Sequence, residues 1–266
     1  MIGFYDSGIG GIGVLEEVLK IRPSLSFSYL ADFYSLPLGN KSIDYIQNRT
    51  KKACEFLFSK GCKIVILACN TSSVNSIRHI QQVWLKNRFP NKKVLGVTKP
   101  LIEKVTCSKS QLTNKPGLLL STTATYNSGF YQYEFSKIGL TNLTAIPCPG
   151  LAKAIENSDF QLVDSLLVKY IRENRIGSKE IQYVILACTH YRLALNYIKD
   201  QFQLAEIIDA SKYCAERILN YIKKYPIYYH QNNLQQYYFT VSNNSTQYKK
   251  IQSRLVANQR LDAVYL

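Results

Sequence analysis

The chain has 266 residues, 33 Lys+Arg against 18 Asp+Glu, a formal charge of +15 and 46% hydrophobic residues. That apolar content supports a packed core and excludes a disordered chain, and the length suits one large domain or two small ones. No apolar run reaches the ~18 residues of a membrane span, and the start Met1-Ile2-Gly3-Phe4-Tyr5-Asp6 reads as a strand rather than a signal peptide, so the cytoplasm is the expected compartment.

In chain order, the pattern alternates strand and helix. Strand Ile2 to Tyr5 leads through a Gly-rich turn to a helix from Ile12 to Ile21. Strand Ser26 to Leu30 ends at Ala31-Asp32, and a helix from Ser42 to Ser59 is stopped by Gly61. Lys63 to Ala68 is a near-continuous apolar run, as expected of a strand covered on both faces. A helix from Ser73 to Trp84 and a strand from Lys93 to Val97 follow. The pattern then restarts with helix Pro100 to Cys107 and strand Gly117 to Leu120. Helix Ser128 to Ile138, strand Asn142 to Ile146, and helices Leu151 to Asn157 and Phe160 to Glu173 come next. Strand Tyr183 to Ala187, helix Arg192 to Gln201, strand Glu206 to Ile208 and helix Ser211 to Lys223 complete the series. The Tyr/Asn/Gln-rich tail reads as a strand at Tyr237 to Val241 and a helix at Gln247 to Val256. Such alternation predicts an α/β fold built on parallel sheets.

Two segments repeat. Lys63-Ile-Val-Ile-Leu-Ala-Cys69-Asn70-Thr71 aligns with Gln182-Tyr-Val-Ile-Leu-Ala-Cys188-Thr189-His190, about 119 residues apart. More weakly, Gly3-Phe-Tyr-Asp6-Ser7-Gly8 aligns with Gly117-Leu-Leu-Leu-Ser121-Thr122. A period this long is no solenoid; it predicts two similar, pseudo-symmetric domains with a site in the cleft between them.

Seven cysteines stand at 54, 62, 69, 107, 148, 188 and 214, with no CxxC pair. The odd count argues against a disulfide framework or a zinc ribbon, and no metal site is expected. Parallel α/β sheets bind ligands beyond the carboxyl ends of their strands. Asp6, Ser7, Cys69, Asn70, Thr71, Thr122, Cys188, Thr189 and His190 all fall there. One strand-end Cys is ordinarily a small buried hydrophobe. Two at equivalent repeat positions can flank one cleft, where one group takes a proton and the other returns one to the opposite face. That is racemisation or epimerisation, and a thiol with an ordinary pKa of ~8.5 is tunable for it. Asp6 can serve Cys69 and His190 can serve Cys188. Ser7, Asn70, Thr71, Thr122, Thr125 and Thr189 supply neutral donors suited to carboxylates, so a small, doubly anionic substrate is expected. Cys54, Cys62, Cys107, Cys148 and Cys214 read as packing.

These residues resemble a known family. The stretches Asp6-Ser7-Gly8-Ile9-Gly10-Gly11, Pro37-Leu38-Gly39-Asn40-Lys41-Ser42, Ala68-Cys69-Asn70-Thr71, Ser121-Thr122-Thr123-Ala124-Thr125, Cys148-Pro149 with Glu156, Cys188-Thr189-His190-Tyr191 and Ile208-Asp209-Ala210-Ser211 are similar to those of glutamate racemases, in the cofactor-independent Asp/Glu racemase superfamily. The resemblance implies interconversion of L- and D-glutamate without cofactor, supplying D-glutamate for peptidoglycan. It implies that Cys188 takes the α-proton of L-glutamate and Cys69 that of D-glutamate, assisted by Asp6, Glu156 and His190. Ser7, Pro37, Leu38, Gly39, Asn70, Thr71, Thr122, Thr125 and Thr189 would hold the substrate. It further implies a first lobe of residues 1–97 plus 209–266, a second of 98–208, and a homodimer. Departures from the family are Leu38 for Tyr, Ser121 and Ala124 for Gly in Gly-Thr pairs, and Arg192 for Pro.

Other readings compete. An aspartate racemase of the same superfamily differs in substrate by one methylene, worth only ~1–3 kcal/mol of discrimination. Gly8-x-Gly10-x-x-Gly13 with Asp32 downstream outlines a dinucleotide fingerprint, but leaves the duplicated Cys unexplained. The charge is concentrated in residues 49–115, net +12, and 212–266, net +6, as scattered pairs without a nucleic-acid motif. Solvated helix faces explain it, and neither a nucleic-acid nor a membrane partner is expected.

Overall fold

The computed structural model describes residues 1–232, 234–240 and 261–266. The first half runs β1 (Ile2–Asp6), α1 (Ile12–Ile21), β2 (Phe27–Ala31), α2 (Ile43–Ser59), β3 (Ile64–Leu67), α3 (Asn70–His79) and β4 (Lys93–Gly96). A π turn, Ile80–Trp84, joins α3 to the short α4 (Leu85–Arg88). After α5 (Thr98–Cys107) and α6 (Lys109–Leu112) come β5 (Gly117–Ser121), α7 (Thr123–Asn127), α8 (Phe130–Lys137) and β6 (Leu143–Pro147). Next are α9 (Leu151–Glu156), α10 (Phe160–Glu173), β7 (Tyr183–Ala187), α11 (Leu195–Gln201), β8 (Glu206–Ile208) and α12 (Ser211–Lys224), and then β9 (Gln235–Thr240) and β10 (Leu261–Val264).

The local reasons are those of the sequence. In α2, Ile46, Thr50, Ala53, Cys54 and Leu57 fall on one buried face, as a 3.6-residue period dictates. Ser42 caps it by accepting from the Tyr45 amide at 3.3 Å. Gly61, at φ +88°, turns the chain where other residues would be strained. β1, β2, β3, β5 and β7 are buried at every residue, because helices cover both faces of each sheet.

Two parallel sheets result, in the orders β10-β9-β2-β1-β3-β4 and β6-β5-β7-β8. The orders β2-β1-β3-β4 and β6-β5-β7-β8 are the same. The Val-Ile-Leu-Ala-Cys repeat therefore lands on equivalent strands, β3 and β7, each beside the central strand of its sheet. The largest apolar cluster joins residues of both sheets, from Phe4 and Ile66 to Leu119 and Ile185, through Leu101 and Val105 of α5 and Ile218 of α12. β9 pairs with β2, so the tail joins the first sheet. Among the described residues, no helix is long and apolar enough to cross a membrane.

Several sequence-based bounds shift. The expected strand at Tyr237 to Val241 is Gln235–Thr240, β10 was not anticipated, and the helix expected at Gln247 to Val256 lies outside the described residues. Cys107 is not packing: it is exposed at the end of α5.

Asp32, the acid of the dinucleotide outline, is occupied. Its carboxylate accepts from Arg49 Nε and Nη2, both at 2.7 Å, from Thr240 Oγ1 at 2.7 Å and from Tyr5 OH at 3.3 Å. Asp32 is fully buried, so it ties β9 to β2 and has no face left for a ribose. Arg49→Met strands that carboxylate without its counter-charge. The expected loss is ~3–5 kcal/mol of unfolding free energy in urea denaturation. A loss below about 1 kcal/mol would show that the pair contributes nothing net beyond its desolvation.

Candidate active site

Four strand ends meet in one cleft. β1 delivers Asp6 and Ser7, β3 delivers Cys69, β5 delivers Thr122, and β7 delivers Cys188. In each sheet these are the central strand and the neighbour at which strand order reverses, where doubly wound sheets place their ligands. Ser7, Cys69, Asn70, Thr71, Thr122, Cys188, Thr189 and His190 line one cavity with Pro37, Leu38 and Gly39. Asp6, Thr125 and Glu156 lie behind that lining, each buried. The cavity is about 20 Å³, room for about one water molecule. The cleft is therefore closed, and an amino acid enters only if its walls part. A larger cavity, about 890 Å³, lies elsewhere, between Tyr34, Arg49, Lys52 and Trp84, and gathers none of these strand-end groups.

Three helix starts near the cleft come earlier than the sequence pattern placed them. α3 begins at Asn70 rather than Ser73, with extended Cys69 as its N-cap residue. Thr122 caps α7, a helical turn ahead of α8, where a single helix from Ser128 was expected. Thr189–Ala194 is a 3-10 turn preceding α11, not the approach to a helix from Arg192. The first turn of a ten-residue α3 therefore faces the cleft, with the Ser72 amide directed at the Cys69 thiol, and a helix start of this kind stabilises carboxylates.

Around Cys69 the environment is mixed. Its Sγ lies 3.5 Å from Ser7 Oγ, and Leu38 and Ile46 pack against it. Leu38, in the place of the family Tyr, thus becomes an apolar wall of the thiol. Burial pushes the Cys69 pKa up, as does the Asp6 charge, while the Ser7 bond and the Ser72 amide act the other way. Asp6 does not hydrogen-bond the thiol. It accepts from the Gly8 amide at 2.9 Å and from Thr189 Oγ1 at 3.1 Å. Burial raises its pKa, opposed by the His190 charge and these two bonds. On the other wall, His190 Nε2 is 2.6 Å from Glu156 Oε2, which also accepts from the Ile9 amide at 3.2 Å. Burial alone would lower the His190 pKa. Hydrogen bonds to Cys188 and Glu156, and their charges, outweigh it and hold the imidazole well above its ordinary range.

The Gly-rich turn now has a physical reason. A Cβ at Gly8 would sit 2.4 Å from Glu156 Oε2, and one at Gly10 would sit 2.7 Å from the His190 backbone nitrogen. The glycines admit the Thr189–His190 turn and Glu156 against the start of α1, where the competing reading would have placed a pyrophosphate.

Hydroxyls bridge the remaining edge. Thr71 Oγ1 and Thr122 Oγ1 are 3.0 Å apart, and Thr122 donates to Thr125 Oγ1 at 3.0 Å. Gly39 lies so close to Thr122 that a Cβ there would be 2.6 Å from the Thr122 Cβ.

No family model matches the chain. Among curated relatives, the glutamate racemase of Roseobacter denitrificans is 33% identical over 239 residues, 85% of this chain and 86% of that one. The chain belongs to the glutamate racemase family. The glutamate racemase of Cereibacter sphaeroides strain ATCC 17025 is 32% identical over 266 residues, covering 93% of this chain and 96% of that protein. Among solved structures, glutamate racemase isoform RacE1 from Bacillus anthracis superposes with a TM-score of 0.81 at 25% identity, covering 100% of this chain and 97% of that one. The two-sheet architecture seen here is thus that of glutamate racemases.

Some lining residues escaped the sequence reading. Lys153 of α9 lines the cavity and brings a cation to its rim. Only its position six residues after Pro147, the end of β6, could have flagged it. Cys148 also lines the cavity, and burial pushes its thiol up to about 12, leaving it protonated at neutral pH. Tyr131, fully buried, donates to Asn70 Oδ1 at 2.5 Å and fixes which end of that amide faces the cleft. No motif marked it. For Tyr131→Phe, KM for glutamate should rise about fivefold with kcat nearly unchanged, the cost of ~1 kcal/mol for a lost orienting bond. Steady-state kinetics would check it, and an unchanged KM would assign Tyr131 to packing alone.

Proposed function

We propose that the chain racemises glutamate by a two-thiol proton transfer between Cys188 and Cys69. The observation that carries this reading is the pair of cysteines on equivalent strand ends of two like-ordered sheets, both lining one cavity. With L-glutamate, a Cys188 thiolate takes the α-proton and the Cys69 thiol returns a proton from the opposite face; with D-glutamate the roles reverse. Each turnover leaves the enzyme with one thiol and one thiolate exchanged, and the next reverse turnover, or proton exchange with water, restores it.

The surrounding groups have matching tasks. His190, paired with Glu156 and hydrogen-bonded to Cys188, serves the second thiol, and the Asp6 carboxylate, close enough for its charge to act on Cys69, serves the first. The N–H groups at the start of α3, with Ser7, Asn70, Thr71, Thr122, Thr125 and Thr189, hold the two carboxylates, and the Pro37-Leu38-Gly39 loop closes over them. Lys153 adds positive charge at the rim for a dianionic substrate. D-glutamate formed this way supplies peptidoglycan, which places the chain in the cytoplasm. The lobes are residues 1–97 plus 209–266 and residues 98–208, and the working form is a homodimer.

The test is circular dichroism of L-glutamate in D2O without added cofactor. The signal should decay to zero with α-deuterium incorporation. Faster decay of L-aspartate than of L-glutamate would assign the chain to the aspartate enzymes. A requirement for pyridoxal phosphate would overturn the two-thiol mechanism.

A further inference from the structure

One charged cluster beside the cleft has no part in this chemistry. Arg192 stands two residues beyond His190, in the turn that follows β7. Its Nη2 donates to Glu17 Oε1 of α1 at 2.6 Å, and its Nη1 donates to Asp209 Oδ2, just ahead of α12. Both acids are held by other groups. Glu17 also pairs with Lys20 at 2.8 Å, and Asp209 Oδ1 accepts from Ser211 Oγ at 2.9 Å. The arm of Arg192 lies across Gly13, where a Cβ would be 3.0 Å from Arg192 Cδ. Arg192 is absent from the cavity lining and touches neither thiol.

The turn therefore meets the β1–α1 segment through three polar contacts. Two of them, Thr189 with Asp6 and His190–Glu156 with Ile9, belong to the reacting groups. The third, Arg192 with Glu17, is a hydrogen-bonded ion pair whose side chains are only 25% and 11% exposed. The closed cavity holds about one water, so an amino acid enters only when the cleft walls part, and the Thr189–His190 turn is one of those walls. Exposed single ion pairs contribute little, but a guanidinium shared by two carboxylates from separate elements fixes a geometry that a lone pair does not.

We propose that Arg192 is a positioning residue: an ionic latch that seats the Thr189–His190 turn on α1 and sets how often the cleft parts. The proposal rests on the reading of the cleft as the racemase site, and its first readout does not depend on that reading. The readout is iodoacetamide alkylation of Cys188 and Cys69 in the substrate-free enzyme, followed residue by residue by mass spectrometry. The buried Cys54 and Cys62 serve as internal controls.

In Arg192→Ala, Cys188 should alkylate about fivefold faster, equivalent to ~1 kcal/mol, while Cys54 and Cys62 keep their wild-type rates. Arg192→Lys should recover part of the protection. Raising KCl to ~0.5 M should speed alkylation of the wild type but not of Arg192→Ala, because screening then has no latch to weaken. In turnover, Arg192→Ala should raise KM for both enantiomers by the same factor, with kcat changed less than about twofold. Unchanged alkylation in Arg192→Ala would overturn the latch, as would equal acceleration of Cys54 and Cys62, which marks general loosening. A loss in kcat alone, with wild-type alkylation, would also overturn it. Faster alkylation of Cys188 in a protein that leaves glutamate untouched would uphold the latch and refute the substrate assignment instead.

Discussion

Replacing Cys69 or Cys188 by Ala should each lower the racemisation kcat by on the order of 10³ to 10⁴, the size of a lost acid–base group in a positioned site. The two variants should fail differently, and the difference tests the assignment. With Cys69 gone, Cys188 still reaches the α-proton of L-glutamate and returns deuterium to the same face. Cys69→Ala should therefore exchange the α-hydrogen of L-glutamate in D2O without inverting it, and leave D-glutamate untouched. Cys188→Ala should do the reverse. NMR of the α-position with each enantiomer separates the cases. Full activity in either variant, or exchange of both enantiomers by one of them, would sink the two-thiol reading. The four other buried cysteines make poor substitutes. Burial raises the pKa of all four, with Cys62 at about 11 and Cys148 at about 12, so they remain protonated at neutral pH. Conservative Ser replacements at Cys54, Cys62 and Cys214 should keep activity.

What the sequence made legible follows from where side-chain periodicity is strong. The bounds of α1, α10, β7 and β8 could be read from the chain because buried apolar residues recur at helical spacing or fill a whole strand. The internal repeat placed both cysteines at strand ends before any fold was in hand. The same logic failed around the cleft. Asn70, Thr71, Thr123 and His190 lie in first turns whose polar faces meet the cavity, so they carry no apolar period, and each helical start was placed too late. The missed partners share one cause. Tyr131 and Lys153 reach the site from other elements of the chain, through contacts set by tertiary packing. Glu156 shows the boundary between the two cases. The resemblance singled it out, but only the packing explains it: α9 brings it under the Gly8 turn, where a glycine leaves room for its carboxylate. The Gly8-x-Gly10-x-x-Gly13 pattern misled for the same reason. Glycine reports close approach, and the sequence alone does not say whether a phosphate or a neighbouring turn is what approaches.

Glu156→Gln should be the second most damaging change, and its signature is a pH dependence. Gln keeps the shape but not the charge, so His190 loses one of the two partners, Cys188 and Glu156, that together outweigh its burial, and its pKa falls. The expected cost is ~10² in kcat, for loss of the charge-paired imidazole beside Cys188. Because the two enantiomers have equal free energy, kcat/KM falls by the same factor in both directions. The isotope effect does not: α-deuterated L-glutamate, whose proton Cys188 removes, should show the larger primary effect in the variant. Stability gives the independent reading. In the wild type the folded pKa of His190 lies above its unfolded value of ~6.5, so its contribution is complete below pH ~6.5 and is lost as pH rises through the folded value. Between those two pKa values the slope is about 1.4 kcal/mol per pH unit. The stability gap between wild type and Glu156→Gln, from urea titrations, should therefore be widest near pH 6 and narrow toward pH 9. The raised thiol pKa values lower stability above pH ~8.5 in both proteins alike and cancel in the difference. A gap that stays constant from pH 6 to 9 would mean that His190 is not held cationic by Glu156.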